Sequence, residues 1–290
     1  MSTCLIALGS NLGEREATLD AAIADIDSLA DVTLKNHSRW YATRPVGGGQ
    51  HEYLNGAALC ETSVPPEDLL GAIQAIEMRH GRQRRERWAD RTLDLDLLLY
   101  DDRIVDTPTL TLPHPRMSFR RFVLEPAAEI AGQLVHPTIG WTLSQLLRHL
   151  DTGADTVAIV SPEERRRRQL TAMLARQFLA FSVEPQPVAG EAELWPPNLT
   201  TWLSIRSASA MSPSTEIDKH PKLTILLNPE ITTVVDNQES MRWTAICRQS
   251  GRGPTLRISQ SAAETMFGDA IAAVQAVWPA LGPTDGARLE

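Results

Sequence analysis

Cysteine and lysine are scarce in this 290-residue chain, and long apolar runs are missing. The three cysteines, Cys4, Cys60 and Cys247, are too few and too scattered for a disulfide framework or a zinc site, so a reducing, cytoplasmic compartment is expected. No stretch approaches the ~20 uninterrupted apolar residues of a membrane helix, which argues against membrane spanning. The first residues lack a basic stretch ahead of their short apolar run, so no secretory signal is expected.

Two common phosphate-binding loops are also missing. The sequence contains neither G-x-x-x-x-G-K-[ST] nor a G-x-G-x-x-G between a predicted strand and helix, which excludes P-loop and Rossmann-type nucleotide binding. Apolar residues make up 42% of the chain and charged residues 22%. This composition is typical of a globular protein, and the length suits about two domains of roughly 150 residues each. Any nucleotide must therefore be held by other means.

Positive charge is concentrated in one segment of an acidic chain. The formal net charge is −8, from 36 acidic and 28 basic residues, which argues against a nucleic-acid-binding protein. Residues 79–91 nevertheless hold six arginines against Glu86 and Asp90, a local charge of +4. Guanidinium groups bind phosphate oxygens bidentately, so the segment indicates either a small polyanionic ligand or a solvated helix face. A second arginine run, 165–168, is interpreted as a solvated face.

Residues 1–160 alternate predicted strands and helices. Apolar spacing predicts strands at 4–8, 32–43, 53–63 and 92–100 and helices at 14–29, about 67–79, 124–131 and 143–150. The segment 44–52, with three consecutive glycines, is expected to be a loop. This order predicts an α+β domain with an antiparallel sheet and helices on its faces.

Residues 161–290 are predicted to form a smaller α/β unit. Ser161-Pro162-Glu163-Glu164 is typical of a helix start, and the proline-rich segment 182–198 predicts a linker or long loop. The remaining elements are strands at 199–206, 222–227 and 255–259 and helices near 230–249 and after Ser261. We expect any homo-oligomer to form through this unit.

Two carboxylates stand two residues apart in the strand 92–100. Side chains alternate along a strand, so Asp94 and Asp96 project from one face. The intervening leucines are expected on the other face: Leu93, Leu95, Leu97 and Leu99. Adjacent like charges repel, so a cation is expected between them. Arg91 could supply it as an ion pair; the functional interpretation is Mg²⁺, which binds carboxylates together with substrate phosphates.

Short motifs run through residues 1–160 in a fixed order. They are Gly9-Ser10-Asn11-Leu12-Gly13, Tyr41-x-Thr43-x-Pro45-Val46-Gly47, Tyr53-Leu54-Asn55, Glu77-x3-Gly81-Arg82-x-Arg84, Arg87-Trp88-x2-Arg91-Thr92-Leu93-Asp94-Leu95-Asp96, Leu112-Pro113-His114-Pro115-Arg116 and Arg121-Phe122-Val123-Leu124-x-Pro126. Each is weak alone, but the ordered set resembles the 6-hydroxymethyl-7,8-dihydropterin pyrophosphokinase family. The resemblance implies a ferredoxin-like antiparallel sheet. It also implies pyrophosphate transfer from MgATP to hydroxymethyldihydropterin in folate biosynthesis, giving the pterin diphosphate and AMP.

The resemblance implies a set of residues for the metal and the co-substrate ATP. Asp94 and Asp96 would bind two Mg²⁺ ions that bridge the ATP phosphates, and Arg82 and Arg91 would act in catalysis. The implied ATP-binding residues are Gln74, Glu77, Arg84, Leu97, Thr111, His114, Pro115 and Arg120. Taken without its motif, His114 is interpreted as a structural imidazole. No side chain is an obvious general base, so a metal-bound alkoxide is the expected nucleophile.

A pterin is a flat heterocycle that needs stacking faces and an edge of donors and acceptors. The resemblance implies that Tyr53 and Phe122 stack on it and that Trp88 covers it. The residues implied at its edge are Thr43, Pro45, Val46 and Asn55. Core packing is the alternative for Tyr53 and Phe122.

The sequence departs from the family pattern in three places, none of which removes a metal ligand or a pterin contact. Asp90 replaces a proline or small residue, Thr109 stands where some members have arginine, and the arginine loop is one residue short. An active enzyme with small-molecule substrates and no nucleic-acid or membrane partner is therefore predicted. The alternative is a binding or regulatory protein that keeps the fold. Such a protein has no physical reason to retain two repelling carboxylates.

Residues 219–281 faintly resemble the C-terminal part of a deoxynucleoside kinase. The phosphate loop of such kinases is missing here, so no kinase activity and no site residues are expected in residues 161–290.

Overall fold

The computed structural model describes residues 1–46, 51–81, 91–178, 180–183, 199–204, 220–228, 253–258 and 263–278. They divide into two compact units, Met1–Leu147 and Arg148–Glu290. The predicted helix 230–249 and most of the predicted linker lie outside the described residues. Within the described ranges, every helix is too short or too polar to cross a membrane.

The first unit is built on an antiparallel sheet with helices. Its strands are β1 (Ser2–Ser10), β2 (Val32–His37), β3 (Tyr41–Thr43), β4 (Tyr53–Thr62), β5 (Asp94–Tyr100), β6 (Val105–Asp106) and β7 (Thr111–Leu112). Its helices are α1 (Arg15–Asp27), α2 (Pro66–Arg79) and α3 (Arg121–Ala131), with a 3₁₀ turn at Met117–Phe119. The main sheet has the order β2-β4-β1-β5, all antiparallel, with β3 also pairing β4 and with β6-β7 as a separate hairpin.

The core of the first unit lies between this sheet and helices α1 and α2. Leu19, Ala22 and Ile26 of α1 and Leu69, Ile73 and Ile76 of α2 recur at helical spacing and are fully buried. They pack against alternate residues of the strands: Cys4, Ile6 and Leu8 of β1, Ala58 and Cys60 of β4, and Leu95 and Leu97 of β5. Alternate residues of these strands therefore project from the opposite face of the sheet.

Two local predictions need correction in this unit. Leu99 does not share a face with Leu95 and Leu97, because a register shift between Leu5 and Ile6 in the β1–β5 pairing leaves Leu98 as an extra residue. Tyr100, instead of Leu99, lies in the core layer, and its hydroxyl donates to the Val64 carbonyl at 2.6 Å. Helix α3 also begins three residues earlier than expected, at Arg121, which brings Phe122 into its first turn.

The described residues of the second unit form a five-stranded mixed sheet. Its strands are β8 (Ala154–Val160), β9 (Phe181–Val183), β10 (Thr200–Ser204), β11 (Pro221–Leu227) and β12 (Thr255–Ile258), in the order β12-β11-β8-β10-β9. Strands β8, β11 and β12 are parallel, whereas β10 is antiparallel to its neighbours. Its described helices are α5 (Glu164–Phe178) and α6 (Ala263–Val277), and α4 (Leu143–Thr152) contains the boundary between the units.

The boundary between units lies earlier than residue 160, and the reason is β8. Residues 154–160 form a strand that pairs with β10 and β11, so they belong to the second sheet.

The sequence interpretation of the run 165–168 as wholly solvated is also wrong. Arg165 and Arg168 are exposed, but Arg166 and Arg167 are buried, with relative exposures of 9% and 7%.

Candidate active site

Three residues on neighbouring strands form one row across the face of the sheet opposite α1 and α2. Gly9 of β1 lies directly between Asn55 of β4 and Asp94 of β5 in the strand register. Directly opposite residues in an antiparallel pair project from the same side. Two strand spacings separate the outer members, about 10 Å. Because Gly9 has no side chain, the centre of the row is open; a Cβ there would lie 3.2 Å from Asn55 Oδ1.

A cavity of about 460 Å³ opens above this row. Eleven predicted site residues line it: Thr43, Val46, Tyr53, Asn55, Arg91, Asp94, Asp96, His114, Pro115, Arg120 and Phe122. These residues come from five separate segments of the chain, and the fold brings them together in one cavity. Its size falls in the range of small-molecule sites, and its wall mixes aromatic, amide and charged groups.

The two aspartates lie on one face of β5, as the strand period predicts, and both line this cavity. Each lies near a cation. Asp94 Oδ1 is 2.6 Å from an Arg91 guanidinium nitrogen, so the ion pair foreseen as an alternative is formed. Asp96 Oδ2 lies 3.7 Å from His114 Nε2 and 4.0 Å from an Arg120 nitrogen. The carboxyl side chains remain 25% and 35% exposed, so both are accessible to a ligand.

The bulge in β5 helps to place His114. The carbonyl of Leu98, the extra residue, accepts the His114 backbone N–H at 2.9 Å. His114 Nδ1 in turn accepts the Arg116 backbone N–H at 3.3 Å. Since Nδ1 is an acceptor, the neutral ring carries its proton on Nε2, the nitrogen that faces Asp96.

Burial controls the charge of two groups in this wall. It lowers the pKa of His114 to about 4, with Arg120 and Arg116 acting in the same direction and Asp96 opposing them. His114 is therefore a neutral hydrogen-bond donor near pH 7. Burial also lowers the pKa of Arg120 to about 10, which leaves the guanidinium charged. That guanidinium lies over the Phe122 ring, 5.4 Å from its centroid, a cation–π contact that orients both side chains.

The amide end of the row is organised by one hydrogen bond. Asn55, 6% exposed, donates from Nδ2 to Thr43 Oγ1 at 2.7 Å, which links β4 to β3 across the cavity wall. The same strand pair places Thr43 opposite Tyr53, which lines the cavity and is only half-buried. Polar edge groups and aromatic faces therefore stand side by side.

Five described residues of the predicted site do not line the cavity: Pro45, Gln74, Glu77, Leu97 and Thr111. Glu77 is fully buried on α2, and its Oε1 accepts the backbone N–H of Leu95 at 2.7 Å. It thereby supports β5 at the residue between the two aspartates. Leu97 is in the core, whereas Thr111 is exposed. Arg82, Arg84 and Trp88 lie outside the described residues.

Sequence reasoning assigned no role to several residues that line the cavity. They are Ala7, Leu8, Gly9, Arg44, Gly56, Arg116 and Val123. Gly9 and Arg116 belong to motifs of the family pattern, and this membership could have identified them as site residues. Ala7 lies opposite Asp96 in the β1–β5 pairing. Strand alternation predicts that Ala7 faces the cavity only when this pairing is known.

The pair of aspartates provides a partial site for Mg²⁺. Their carboxylate oxygens are the hard donors that Mg²⁺ prefers, and they share a cavity with guanidinium groups suited to phosphate. No group of three or more His, Cys, Asp or Glu residues that could hold a metal occurs in the part of the chain the structure describes. The chemistry of the donor set thus fits Mg²⁺ whose remaining ligands come from phosphate and water, the usual manner of binding this ion.

Comparisons with known proteins find a matching family and several similar proteins. The family model described as 7,8-dihydro-6-hydroxymethylpterin-pyrophosphokinase matches residues 5–132. The 2-amino-4-hydroxy-6-hydroxymethyldihydropteridine pyrophosphokinase of Synechocystis is 42% identical over 150 residues, covering 52% of this chain and 77% of that protein. The protein of the same name from Haemophilus influenzae is 44% identical over 138 residues, covering 47% and 86%. A solved structure of Plasmodium falciparum HPPK-DHPS with pteroate aligns with a TM-score of 0.43 and 10% identity, covering 95% of this chain and 77% of that one.

Proposed function

The chain belongs to the 7,8-dihydro-6-hydroxymethylpterin-pyrophosphokinase family, and on that premise we propose that the cavity of the first unit is its active site. The protein transfers pyrophosphate from ATP to hydroxymethyldihydropterin in folate biosynthesis, as an ATP-dependent pyrophosphoryl transferase. The observation that carries the placement is the row Asn55–Gly9–Asp94, which puts an amide suited to a heterocycle edge about two strand spacings from a carboxylate suited to a phosphate-bound metal.

The pterin binds at the β3–β4 end of the cavity. Tyr53 and Phe122 stack on its two faces, while Asn55 and Thr43 hydrogen-bond to its edge. The Asn55–Thr43 hydrogen bond supports this assignment, because it holds the amide in one orientation before the substrate arrives. Val46 borders this end, and the family pattern adds contacts from Pro45 and from Trp88, which covers the ring.

The triphosphate of ATP binds at the β5 end. Asp94 and Asp96 would hold two Mg²⁺ ions, which would neutralise phosphate charge and polarise the phosphoryl oxygens. His114 donates from Nε2 to a phosphate oxygen, and Arg120 adds a fixed positive charge; the neutral state of His114 and the burial of both groups support these roles. Arg91, held beside Asp94, stabilises charge that develops during transfer.

The remaining assignments of the first unit follow from the family pattern. Arg82 acts in catalysis, and Arg84, Gln74, Glu77, Leu97, Thr111 and Pro115 bind ATP. The order β2-β4-β1-β5, in which β-α-β segments interleave, supports a ferredoxin-like sheet. The second unit serves as an accessory domain, and the enzyme is cytoplasmic.

Replacement of one aspartate tests this proposal. Asp96→Asn keeps the shape of the side chain but removes a hard anionic ligand, and we expect AMP formation from ATP and hydroxymethyldihydropterin to fall by about 10³-fold or more. Asp102→Asn is the control, since Asp102 is exposed in the turn after β5 and outside the cavity. Equal turnover by the two variants would overturn the metal assignment. A wild-type chain that binds both substrates without turnover would instead support a binding protein.

A further inference from the structure

Arg116 lines the cavity beside His114 and Arg120, but the proposed reaction gives it no role. It is half-buried and stands immediately before the 3₁₀ turn Met117–Phe119. Its backbone N–H is fixed by His114 Nδ1 at 3.3 Å. Because its backbone is fixed in this way, Arg116 loses less conformational freedom when its side chain binds a ligand in the cavity.

The charges of the cavity wall are unbalanced around Arg116. Among its described lining residues are four arginines, Arg44, Arg91, Arg116 and Arg120, and two aspartates. Arg91 is already paired with Asp94. Asp96 lies 3.7 Å from His114 Nε2 and 4.0 Å from an Arg120 nitrogen, and Arg116 lines the same wall. Like charges held close together in a partly desolvated wall are stabilised when a polyanion enters.

We propose that Arg116 is a further phosphate-binding residue, which forms with His114 and Arg120 a cluster that binds the phosphate chain of ATP. The proposal rests on the proposed function, because it takes ATP as the polyanion. The planar guanidinium can offer two parallel N–H donors to one phosphate group, whereas His114 offers one. Arg116 therefore contributes to the affinity of the site for ATP and little to its affinity for the uncharged pterin.

The test compares Arg116→Ala, Arg116→Lys and a matched control, Arg121→Ala, in the full chain. Arg121 is also half-buried in the same segment, but it pairs with Glu125 at 3.4 Å and lies outside the cavity lining. We expect Arg116→Ala to raise the KM for ATP about tenfold or more, a typical cost of losing one charge-assisted contact. Arg116→Lys should recover part of the loss, since it keeps the charge without the planar fork. Arg121→Ala should match the wild type.

Binding of α,β-methylene-ATP, which cannot be cleaved at the transferred bond, gives a readout independent of turnover. Arg116→Ala should weaken this binding by the same factor and leave the KM for the pterin and the unfolding temperature within error. Unchanged affinity for the analogue would overturn the proposal. So would equal losses for both substrates with a lower unfolding temperature, which indicate a structural role. An inactive wild type would contradict the proposed function, while the analogue would still report on Arg116.

Discussion

Asn11 and Arg91 hold each other by two hydrogen bonds. The Asn11 side-chain Oδ1 accepts the Arg91 backbone N–H at 2.7 Å, and the Asn11 backbone N–H donates to the Arg91 carbonyl at 3.1 Å. Asn11 is 3% exposed at the end of β1, beside Gly9. The residue that carries the guanidinium beside Asp94 is thus fixed to the strand that forms the centre of the cavity floor.

Replacement of Asn11 should therefore reduce turnover more than it reduces substrate binding. Asn11→Ala leaves the Arg91 N–H without its acceptor, a loss of about 1–3 kcal/mol for a buried donor, and we expect kcat to fall about tenfold as Arg91 loses its position. Asn11→Asp retains an acceptor and should recover most of kcat. Asn36→Ala, at an exposed position of β2, is the control for steady-state kinetics. A fall in kcat that Asn11→Asp does not recover would contradict this role.

A side chain at position 9 should close the floor of the cavity. The Cβ of Gly9→Ala would lie 3.2 Å from Asn55 Oδ1 and 4.0 Å from the Tyr53 ring, so the Asn55 amide must shift by a few tenths of an ångström. We expect the KM for the pterin to rise about tenfold, with a smaller effect on the KM for ATP. Gly71→Ala, on the exposed face of α2 with open space around it, should leave both constants unchanged. Equal constants for the two variants would exclude Gly9 as the cavity floor.

The pairing of the two aspartates on one face could be predicted from the sequence because it needs only the period of a strand. The position of Leu99 could not, since it depends on a bulge that exists only in the pairing of β5 with β1. The structural contact of Glu77 could not be predicted either. Its motif indicates an ATP-binding residue, and only the packing of α2 against β5 shows that its Oε1 also accepts the Leu95 backbone N–H. Periodicity describes one element at a time, and these residues are placed by contacts between elements.

Acid should destabilise the first unit through His136. This residue is 6% exposed in the turn after α3, and burial lowers its pKa to about 4 from an ordinary 6.5. The unfolded chain then binds a proton that the folded chain rejects, so stability is complete above about pH 6.5 and is lost as the pH falls towards 4. The loss amounts to about 3 kcal/mol at about 1.4 kcal/mol per pH unit.

His136→Asn removes this titration and should flatten the fall in unfolding free energy between pH 6.5 and 4. The comparison is made by denaturant unfolding of the full chain at each pH, with His37→Asn as the control because His37 is exposed on β2. His114 shifts in the same direction, so a residual slope is expected. A slope identical to that of the wild type would exclude His136 as a source of the pH dependence.

The run 165–168 contains two arginines that the fold buries and two that it leaves in solvent. Arg167 donates to the Ser161 carbonyl at 2.7 Å and from Nε to Thr201 Oγ1 at 3.1 Å, which links the start of α5 to the end of β8 and to β10. Arg166 donates to the Asn228 carbonyl at 2.8 Å, just after β11. Four consecutive identical residues carry no pattern that separates inward from outward positions, so the sequence alone could not identify these two.

Removal of a buried arginine from this run should destabilise the second unit. Arg167→Ala leaves the Ser161 carbonyl and the Thr201 hydroxyl without their donor, and we expect a loss of about 2–4 kcal/mol in the free energy of unfolding. Arg165→Ala and Arg168→Ala, at exposed positions of the same turns, should each change it by less than about 0.5 kcal/mol. Hydrogen exchange across β8 and β10 localises the effect, because their amides should lose protection while those of β1 and β5 do not. Equal stability of all three variants would contradict the assignment of Arg167 as a link between α5 and the sheet.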